Sequence, residues 1–410
     1  MSVLASNDCY RPSGRVKRLL SGAVLGGLPI VFGLLRRWRP ITGAWGMWAV
    51  TRHDDVLEAF AADEAFGVTY RDNIDVITGG QPFFLGLPDG PDYRAQLGAM
   101  RAVFLDDDLL RLGQAAEAHA AALVRASPGR IDVVDLVRRA TFGTFSDYLG
   151  IPEPANGRLD VWSSRLFEYQ YTGSAKDKAW TAEVAEIASA FRAHIDTTIA
   201  ARRVAGSGAD DVLGRCLVRA VAGEPGYSDV QIRTALLCMI LGGPPQPPMI
   251  VPQGIEQLLR RPAWLATAGE AARAGDDPRL RAILNEAMRF DPLAPGLPRK
   301  ALCDYTLARG TRHEKTVPKG VTLMVAFSSA MMDSRRVPVP TRFDPDRQPH
   351  EYIHFGHSIH ECFGRMINAA TLHRMVKPLL ARPQVARARG SAGHLVKNGP
   401  FAERLEVVFA

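Results

Sequence analysis

Apolar residues recur at helical spacing along most of this chain. The spacing predicts a short helix from Asp54 to Ala62, helix from Tyr93 to about Arg125, and a mainly helical stretch over residues 132–270. Glycine and proline clusters interrupt that stretch at residues 152–154, 206–208 and 223–226. Helical spacing returns after Gly364. The pattern therefore predicts a mainly α protein.

Strands are predicted at two places. Residues 44–51 (AWGMWAVT) are rich in aromatic and β-branched types, and Thr322 to Phe327 form a second apolar run within residues 293–350. Residues 71–92 contain several glycines and prolines, which predict a long loop. No internal repeat or linker divides the chain. We therefore expect a single domain over residues 1–410, mainly α with a minor β part, with an N-terminal apolar segment, residues 1–40, leading into it.

Composition adds modest constraints. Hydrophobic residues are 47% and charged residues 23% of the chain, as in an ordinary globular protein, which excludes a disordered or collagen-like chain. The net charge of +7 identifies no class of partner, and we expect no nucleic acid partner. The five cysteines are scattered and form no CxxC pair, as is usual in a reducing compartment. A cytoplasmic location is therefore expected.

An apolar run near the N-terminus extends from Leu19 to Leu35 between basic clusters. It is shorter than the ~20 residues of a membrane-spanning helix. It contains Pro29 and several glycines, and no small-residue cleavage site follows it. We expect a segment that packs on the fold. A helix that dips into a membrane surface, or a true anchor, are the alternatives.

The apolar segment between residues 228 and 248 is the most unusual in the chain. Ser228 and Gln231 form a capping-box pattern, and the apolar run from Ala235 to Leu241 predicts a helix buried on all sides. The helix then meets the sequence GGPPQPP, in which prolines remove backbone donors and clash with the preceding turn. Two interpretations follow: a long central helix broken where something binds, or two separate helices joined by a turn.

Residues 354–364 (HFGHSIHECFG) contain the densest cluster of reactive side chains. A zinc site is one interpretation, although no second ligand cluster accompanies it. A cysteine nucleophile beside His360 is another. The third is a cysteine thiolate that serves as the axial ligand of a haem iron. Glycines would then let the loop approach a flat macrocycle, and the start of the following helix would lower the pKa of the thiol.

This cluster resembles the haem-binding signature of the cytochrome P450 superfamily. The matching positions are Phe355, Gly356, His360, Cys362 and Gly364. Ser358 stands where the family usually has a second glycine. The resemblance implies a P450 fold around a buried haem b, with Cys362 as the iron ligand and His360 paired with a haem propionate.

A second family motif lies upstream. Glu286 and Arg289 match a helical Glu-x-x-Arg, whose spacing places both side chains on one face of a helix. Residues 342–347 (RFDPDR) resemble the segment that precedes the family's cysteine loop, and Arg299 falls where the family has a second propionate partner. The resemblance covers nearly the whole chain.

The chain departs from the family in its central helix. The family's Ala-Gly-x-Asp/Glu-Thr aligns with residues 242–246, so that Gly243 matches, Pro245 replaces the acid and Gln246 replaces the alcohol. In the family that pair helps to deliver protons to dioxygen. We identify these three residues as candidate catalytic positions, where the Gln246 amide could orient a water or an oxygen ligand.

A second departure concerns a propionate-binding His-x-x-x-Arg motif. Its aligned positions are Tyr93 and Leu97, so Tyr93 and the neighbouring Arg94 become candidate cofactor-binding residues.

By the resemblance, the chain is expected to be a monooxygenase of a small apolar substrate, with electrons from a separate ferredoxin and ferredoxin reductase. Arg365, Arg374 and Lys377 are candidates for a face that docks an acidic partner. The missing acid–alcohol pair leaves two alternatives open. One is a peroxygenase or a non-oxygenating enzyme of dehydration, isomerisation or cyclisation; the other is a non-enzymatic haem-binding protein. Candidate substrate-side residues are Ile77, Phe83, Phe84, Leu85, Ile240, Leu241 and Met249.

Overall fold

The computed structural model describes residues 3–174, 176–206 and 208–410. The helices are α1 Arg15–Trp38, α2 His53–Ala61, α3 Arg71–Thr78, α4 Pro91–Arg101, α5 Leu109–Ala126, α6 Val133–Leu149, α7 Leu159–Thr172, α8 Lys178–Ala205, α9 Val212–Val221, α10 Asp229–Gly242, α11 Pro247–Leu259, α12 Pro262–Ala274, α13 Asp277–Phe290, α14 Phe327–Ala330 and α15 Arg365–Leu380. The strands are β1 Ile41–Ala44, β2 Met47–Val50, β3 Phe66–Val68, β4 Arg130–Asp132, β5 Leu297–Ala301, β6 Tyr305–Leu307, β7 Lys315–Val317, β8 Thr322–Val325, β9 Ala386–Arg387, β10 Val396–Asn398, β11 Phe401–Arg404 and β12 Glu406–Val408. The predicted class, mainly α with a minor β part, is confirmed.

The chain divides into two compact units. The first unit comprises the chain up to Pro12, Tyr70–Leu123 and Leu136–Pro248, and the second unit comprises Ser13–Thr69, Val124–Asp135 and Met249–Ala410. The single domain expected from the sequence stays a prediction.

The first unit is helical and has α7 at its centre. Every residue of α7 from Leu159 to Gln170 is buried, so this helix is enclosed on all sides. Trp162 packs edge-on against Phe191 of α8, with the ring centroids 5.6 Å apart. Asp177 caps α8 by accepting a hydrogen bond from the Trp180 N–H at 3.0 Å.

Helix α10 begins and ends where the sequence predicts. The capping box of Ser228 and Gln231 is present, and apolar side chains from Ile232 to Leu241 are buried. The helix ends at Gly242, residues 243–246 form a turn, and the chain becomes helical again at Pro247. The interruption of the helix is therefore confirmed, and the prolines explain it because they cannot donate the next helical hydrogen bonds.

The second unit is built on a five-stranded sheet. Its strand order is β1-β2-β8-β5-β3, with β2 and β8 parallel and the other neighbours antiparallel. Apolar side chains of this sheet and of α2 form one buried cluster that includes Val50, Val56, Phe60 and Leu323. Helix α15 packs against α12 and α13, and this places the cysteine loop that precedes α15 beside the end of α13.

Two sequence predictions are corrected. Residues 71–92 are not all loop, because helix α3 forms there and buries the side chains of Ile74 and Ile77. The helix ends at Gly79, whose backbone is left-handed. Residues 44–51 are not one strand. Trp45 and Gly46 adopt positive φ values of 49° and 80° and turn the chain between β1 and β2.

The N-terminal apolar segment is a 24-residue helix, α1. The stretch Leu20–Trp38 is long and apolar enough to cross a membrane, judged by length and composition alone, and only 6% of its most apolar window is buried. The segment packs on the fold along one side, where α1 contacts β1, α14 and β10 and buries Phe32, and its other side is exposed.

Candidate functional site

The cysteine loop, residues 355–364, is closed by its own backbone. The Cys362 N–H donates to the Phe355 carbonyl at 2.8 Å, and the Cys362 carbonyl accepts from the Arg365 N–H at 3.1 Å as α15 begins. Gly364 is the N-cap of α15. A Cβ on Gly364 would lie 3.8 Å from the Cys362 Sγ, an ordinary van der Waals contact, so the sulfur lies directly beside this glycine. These contacts hold Cys362 in a fixed position directly before a helix.

Two residues of the loop have left-handed backbone. Gly356 has a φ of +77°, which glycine adopts without strain. Ser358 has a φ of +65° although it carries a Cβ. The backbone therefore explains why a glycine would suit position 358, where the family pattern has one.

The Cys362 thiol titrates in the direction opposite to the one expected. Burial raises its pKa to about 11, and this outweighs the lowering effect of a hydrogen bond with the Gly364 backbone. The sequence expectation of a lowered pKa at the helix start is thus corrected. The protein by itself holds a neutral thiol at pH 7. A metal ion coordinated by the sulfur would favour the thiolate.

Two basic side chains come together near the loop. Arg299 on β5 is 3% exposed, and its guanidinium lies over the Phe60 ring, 5.3 Å from the centroid. Burial, and then repulsion by Arg299, lower the pKa of His360 to about 4. An anion beside both groups would relieve this repulsion and favour the charged imidazole.

A buried ion network supports the loop from α13. The Arg289 guanidinium donates to both carboxylate oxygens of Glu286, at 2.8 and 2.7 Å, and both side chains are fully buried. Arg347 joins them, its Nε donating to Glu286 at 3.2 Å. The Asp344 N–H donates to the same carboxylate at 2.9 Å. The predicted pair Glu286–Arg289 is therefore formed, and Arg347 of the segment 342–347 is a third member that the sequence alone did not identify.

Two further side chains connect this network to the loop. The Tyr352 hydroxyl donates to Glu286 at 3.3 Å. The His354 Nε2 lies 3.1 Å from the Asn285 carbonyl, and its ring stacks on Tyr352. The sequence reasoning missed both roles, because only the fold brings residues 285–286 next to residues 352–354.

The candidate catalytic residues lie in the first unit, in the turn after α10. The Gln246 side-chain amide donates to the Gly242 carbonyl, one of the carbonyls that a helix end leaves without a helical partner. Pro245 is buried and Gly243 half-buried. The amide of Gln246 thus caps α10, and its role toward an oxygen ligand stays a prediction.

Tyr93 and Arg94 differ in their surroundings. Tyr93 is buried and packs edge-on against Phe84, with the centroids 6.0 Å apart. Arg94 is 71% exposed and forms a bidentate pair with Asp89 at 3.0 and 2.7 Å. The roles of both residues toward a cofactor stay predictions. The exposure of Arg94 and its pair with Asp89 argue against a cofactor-binding role for Arg94.

The basic docking face proposed from sequence is not formed as expected. Arg374 and Lys377 are largely buried, and both pair with Asp277 of α13, at 2.5 and 2.7 Å. Their charges therefore fasten α15 to α13 instead of facing a partner. Arg365 is 52% exposed.

A zinc site has no ligand set here. Within the residues that the structure describes, no three His, Cys, Asp or Glu side chains are placed to hold a metal ion together.

Comparison with known families gives one matching description, "Cytochrome P450", over residues 276–386. This range contains Glu286, Arg289, Arg299 and the cysteine loop. Among solved structures, CalO2 has a TM-score of 0.78 at 21% identity and covers 99% of both chains. The fold is therefore the P450 fold.

Curated proteins with similar sequences point to the same family. A steroid C26-monooxygenase of Mycobacterium tuberculosis is 27% identical over 62% of this chain and 64% of its own length. Biflaviolin synthase CYP158A1 of Streptomyces coelicolor is 28% identical over 85% of this chain and 83% of its own. The chain spans less than two thirds of the length of the first curated relatives it matches. Taken with the site geometry, these matches support the cytochrome P450 superfamily for this chain.

A protein of the cytochrome P450 superfamily holds its haem by a cysteine thiolate, and the residues present fit such a group. Cys362 supplies one thiol, held directly before α15. Arg299 and His360 supply the adjoining basic groups that carboxylates of a haem would pair with. The donor set is thus one soft sulfur beside a positive region, as a thiolate-bound haem requires.

Proposed function

We propose that this protein is a haem-thiolate monooxygenase of a small apolar molecule. The reaction takes a substrate C–H bond, dioxygen, two electrons and two protons to a C–OH group and water. The electrons come from a separate ferredoxin and ferredoxin reductase in the cytoplasm. No nucleic acid partner is involved.

The arrangement of the cysteine loop is the observation that carries this proposal. One cysteine is held at the start of α15 by the Phe355 carbonyl, with Arg299 and His360 nearby. Matched relatives bear names of monooxygenases and hydroxylases, including a mycinamicin IV hydroxylase/epoxidase. A zinc enzyme or a cysteine hydrolase would not need these features together.

Each residue of the loop has a distinct task. Cys362 would hold the iron of a bound haem as thiolate, and the hydrogen bond with the Gly364 backbone would stabilise that negative sulfur. Arg299 and His360 would pair with its propionates. Glu286, Arg289 and Arg347 hold the loop in register with α13. When bound, the haem supplies the redox chemistry that activates the oxidant.

The substrate is proposed to be apolar because apolar side chains dominate the candidate lining. Phe83, Phe84, Ile77, Ile240 and Leu241 are all buried within the first unit. Such a lining selects a ligand by shape and hydrophobic burial rather than by charge.

Proton delivery must differ from the family pattern. Pro245 has no ionisable group, and an amide such as that of Gln246 is a poor proton source. In our proposal, water or a substrate hydroxyl supplies the protons in place of the acid–alcohol pair.

A second candidate is an enzyme that needs no such delivery: a peroxygenase, or a catalyst of dehydration, isomerisation or cyclisation. The replacement of the acid–alcohol pair by Pro245 and Gln246 favours it, because neither side chain is a good proton source. The Gln246 amide donates one N–H to the Gly242 carbonyl, which fixes its orientation and leaves its second N–H and its carbonyl oxygen for other partners.

A turnover assay separates these candidates. The purified protein receives a panel of fatty acids, terpenes and aromatics, in one arm with a surrogate ferredoxin, its reductase and NADPH in air, in a second arm with hydrogen peroxide alone, and in a third arm with neither reductant nor peroxide, under exclusion of air. We expect oxygenated product in the reductase arm. Product with peroxide only supports the peroxygenase, and rearranged or dehydrated product without oxidant supports the non-oxygenating enzyme. Haem binding with no product in any arm contradicts the monooxygenase and supports a haem-binding protein.

A further inference from the structure

Helix α1 carries a continuous apolar stripe on its exposed side. Leu20, Val24, Val31, Leu34 and Trp38 are 63%, 63%, 48%, 58% and 71% exposed. Their spacings of three, four and seven residues fall on one line along a helix of about 3.6 residues per turn. Gly27 continues the line between Val24 and Val31. The stripe therefore runs along most of the helix, and the described part of the chain does not cover it.

The opposite side of α1 is fastened to the second unit. Arg18 forms a bidentate pair with Glu403 at 2.8 and 2.9 Å, near one end of the helix. Arg36 donates to the Ser329 hydroxyl at 2.7 Å and to its carbonyl at 3.0 Å, near the other end. Phe32 is buried on the same side. These contacts hold α1 against the second unit near both of its ends, so the stripe faces outward along the whole helix.

The charges of α1 are all positive. The helix begins with the sequence RVKR and contains no acidic residue. It ends in Arg36 and Arg37, with Arg39 at its C-cap. The Arg37 guanidinium lies 5.1 Å from the centroid of the exposed Trp38 ring. An apolar stripe between basic ends, with a tryptophan at one of them, complements a surface that is apolar inside and anionic outside.

The next element adds a second exposed indole. Trp45, in the turn between β1 and β2, is fully exposed, and Met47 beside it is 54% exposed. Tryptophan is the side chain most suited to the boundary between lipid headgroups and acyl chains.

We propose that α1 lies flat on an anionic lipid bilayer, with its apolar stripe in the headgroup region, as a reversible membrane contact. The stripe supplies apolar burial and the basic ends supply attraction to anionic headgroups. The lengthwise contacts Arg18–Glu403 and Arg36–Ser329 oppose a spanning orientation, because a spanning helix would have to break both. The inference is independent of the proposed reaction.

Vesicle co-sedimentation of the full-length purified protein tests this. One set of vesicles contains phosphatidylglycerol and phosphatidylcholine, and the other contains phosphatidylcholine alone. We expect binding to the anionic vesicles that weakens several-fold as salt is raised, because salt screens the basic ends. Binding to the neutral vesicles should be much weaker.

A matched pair of double variants tests the stripe itself. Val24→Ser with Val31→Ser removes two exposed valines of α1, and we expect roughly tenfold weaker vesicle binding because less apolar surface enters the bilayer. Val218→Ser with Val221→Ser removes two valines of α9 that are 55% and 82% exposed. We expect this control to bind as the wild type does. Circular dichroism verifies that both variants keep their helix content.

Several results would overturn the proposal. Absence of binding to anionic vesicles at low salt is one, and equal binding by the α1 variant and the wild type is another. Association that survives high salt and alkaline carbonate and is released only by detergent would indicate a spanning anchor instead. Self-association of the wild type that the α1 variant loses, without vesicle binding, would make the stripe an interface between copies of this chain.

Discussion

At the scale of single residues, Ser358 stores strain in the cysteine loop. Its φ of +65° places an L-residue with a Cβ in the left-handed region, which costs about 1 kcal/mol or more. The side chain is exposed and makes no contact that would require a serine. The loop before Cys362 thus tolerates a residue that its backbone does not favour.

Replacing this serine tests the strain directly. We expect Ser358→Gly to raise the free energy of unfolding by roughly 0.5–1 kcal/mol, because glycine adopts this backbone without a steric penalty. Ser391→Gly is the matched control, an exposed serine without positive φ, and it should leave stability unchanged or lower it. Denaturant unfolding measures both. Equal effects of the two variants would contradict the strain.

A second residue, Glu168 of α7, carries a buried carboxyl group. One oxygen accepts the Arg11 N–H at 2.7 Å, and burial raises the pKa of the carboxyl to about 7. Because the folded pKa lies above the unfolded one, the stabilising contribution is full below about pH 4.3. It is lost as the pH rises through about 7.

Glu168→Gln should remove this dependence while keeping an oxygen for the Arg11 N–H. The variant's stability relative to the wild type should therefore increase between pH 4.5 and 7, by about 2–4 kcal/mol, and then level off. Melting temperatures across this pH range measure the difference. Glu186→Gln, which removes an exposed carboxylate of α8, is the control. A flat difference for Glu168→Gln would show that the carboxyl is not perturbed.

At the scale of elements, one carboxylate connects α13 to the loop that holds Cys362. Glu286 is fully buried and accepts hydrogen bonds from Arg289, Arg347 and the Tyr352 hydroxyl. The ion pair is therefore important for the placement of the loop, beyond any stability it adds.

Neutralising this carboxylate should loosen both elements. We expect Glu286→Gln to lower the free energy of unfolding by about 3–5 kcal/mol, because it leaves the buried Arg289 guanidinium without a counter-charge, whereas Arg347 keeps its pair with Glu351. Haem content after purification should fall with it. Arg203→Gln, which breaks the exposed pair with Asp229, should cost less than about 1 kcal/mol and leave haem content unchanged. Haem absorbance and thermal unfolding measure both, and similar losses in the two variants would contradict the role of the network.

The features that could be predicted from the sequence are those formed by residues close to one another in the chain. The cysteine loop, the capping box of α10 and the pair Glu286–Arg289 are local patterns, and all three are formed. Helix α3 was missed because it is stabilised from afar, by Asn73 donating to the Tyr169 carbonyl at 3.0 Å. The sequence predicts a lowered pKa for Cys362, but burial, which only the fold determines, raises it. The exposure of one side of α1 likewise depends on which elements pack beside it, and the sequence does not reveal them.

At the scale of the whole molecule, the groups proposed to hold the haem come from distant parts of one unit. Arg299 lies on β5 of the sheet, whereas His360 and Cys362 lie in the loop before α15. The second unit thus contains Cys362, Arg299 and His360, all within the span 276–386 that matches the family, whereas the candidates Tyr93 and Arg94 lie in the first unit.

The ferrous carbonyl spectrum of the haem-loaded protein tests the central claim most directly. Cys362→Ser removes the proposed ligand, and Cys303→Ser removes an exposed cysteine as a control. We predict that the wild type and Cys303→Ser show the red-shifted Soret band of a thiolate-bound haem, and that Cys362→Ser loses it. Retention of that band in Cys362→Ser, or its absence from the wild type, would contradict Cys362 as the haem ligand.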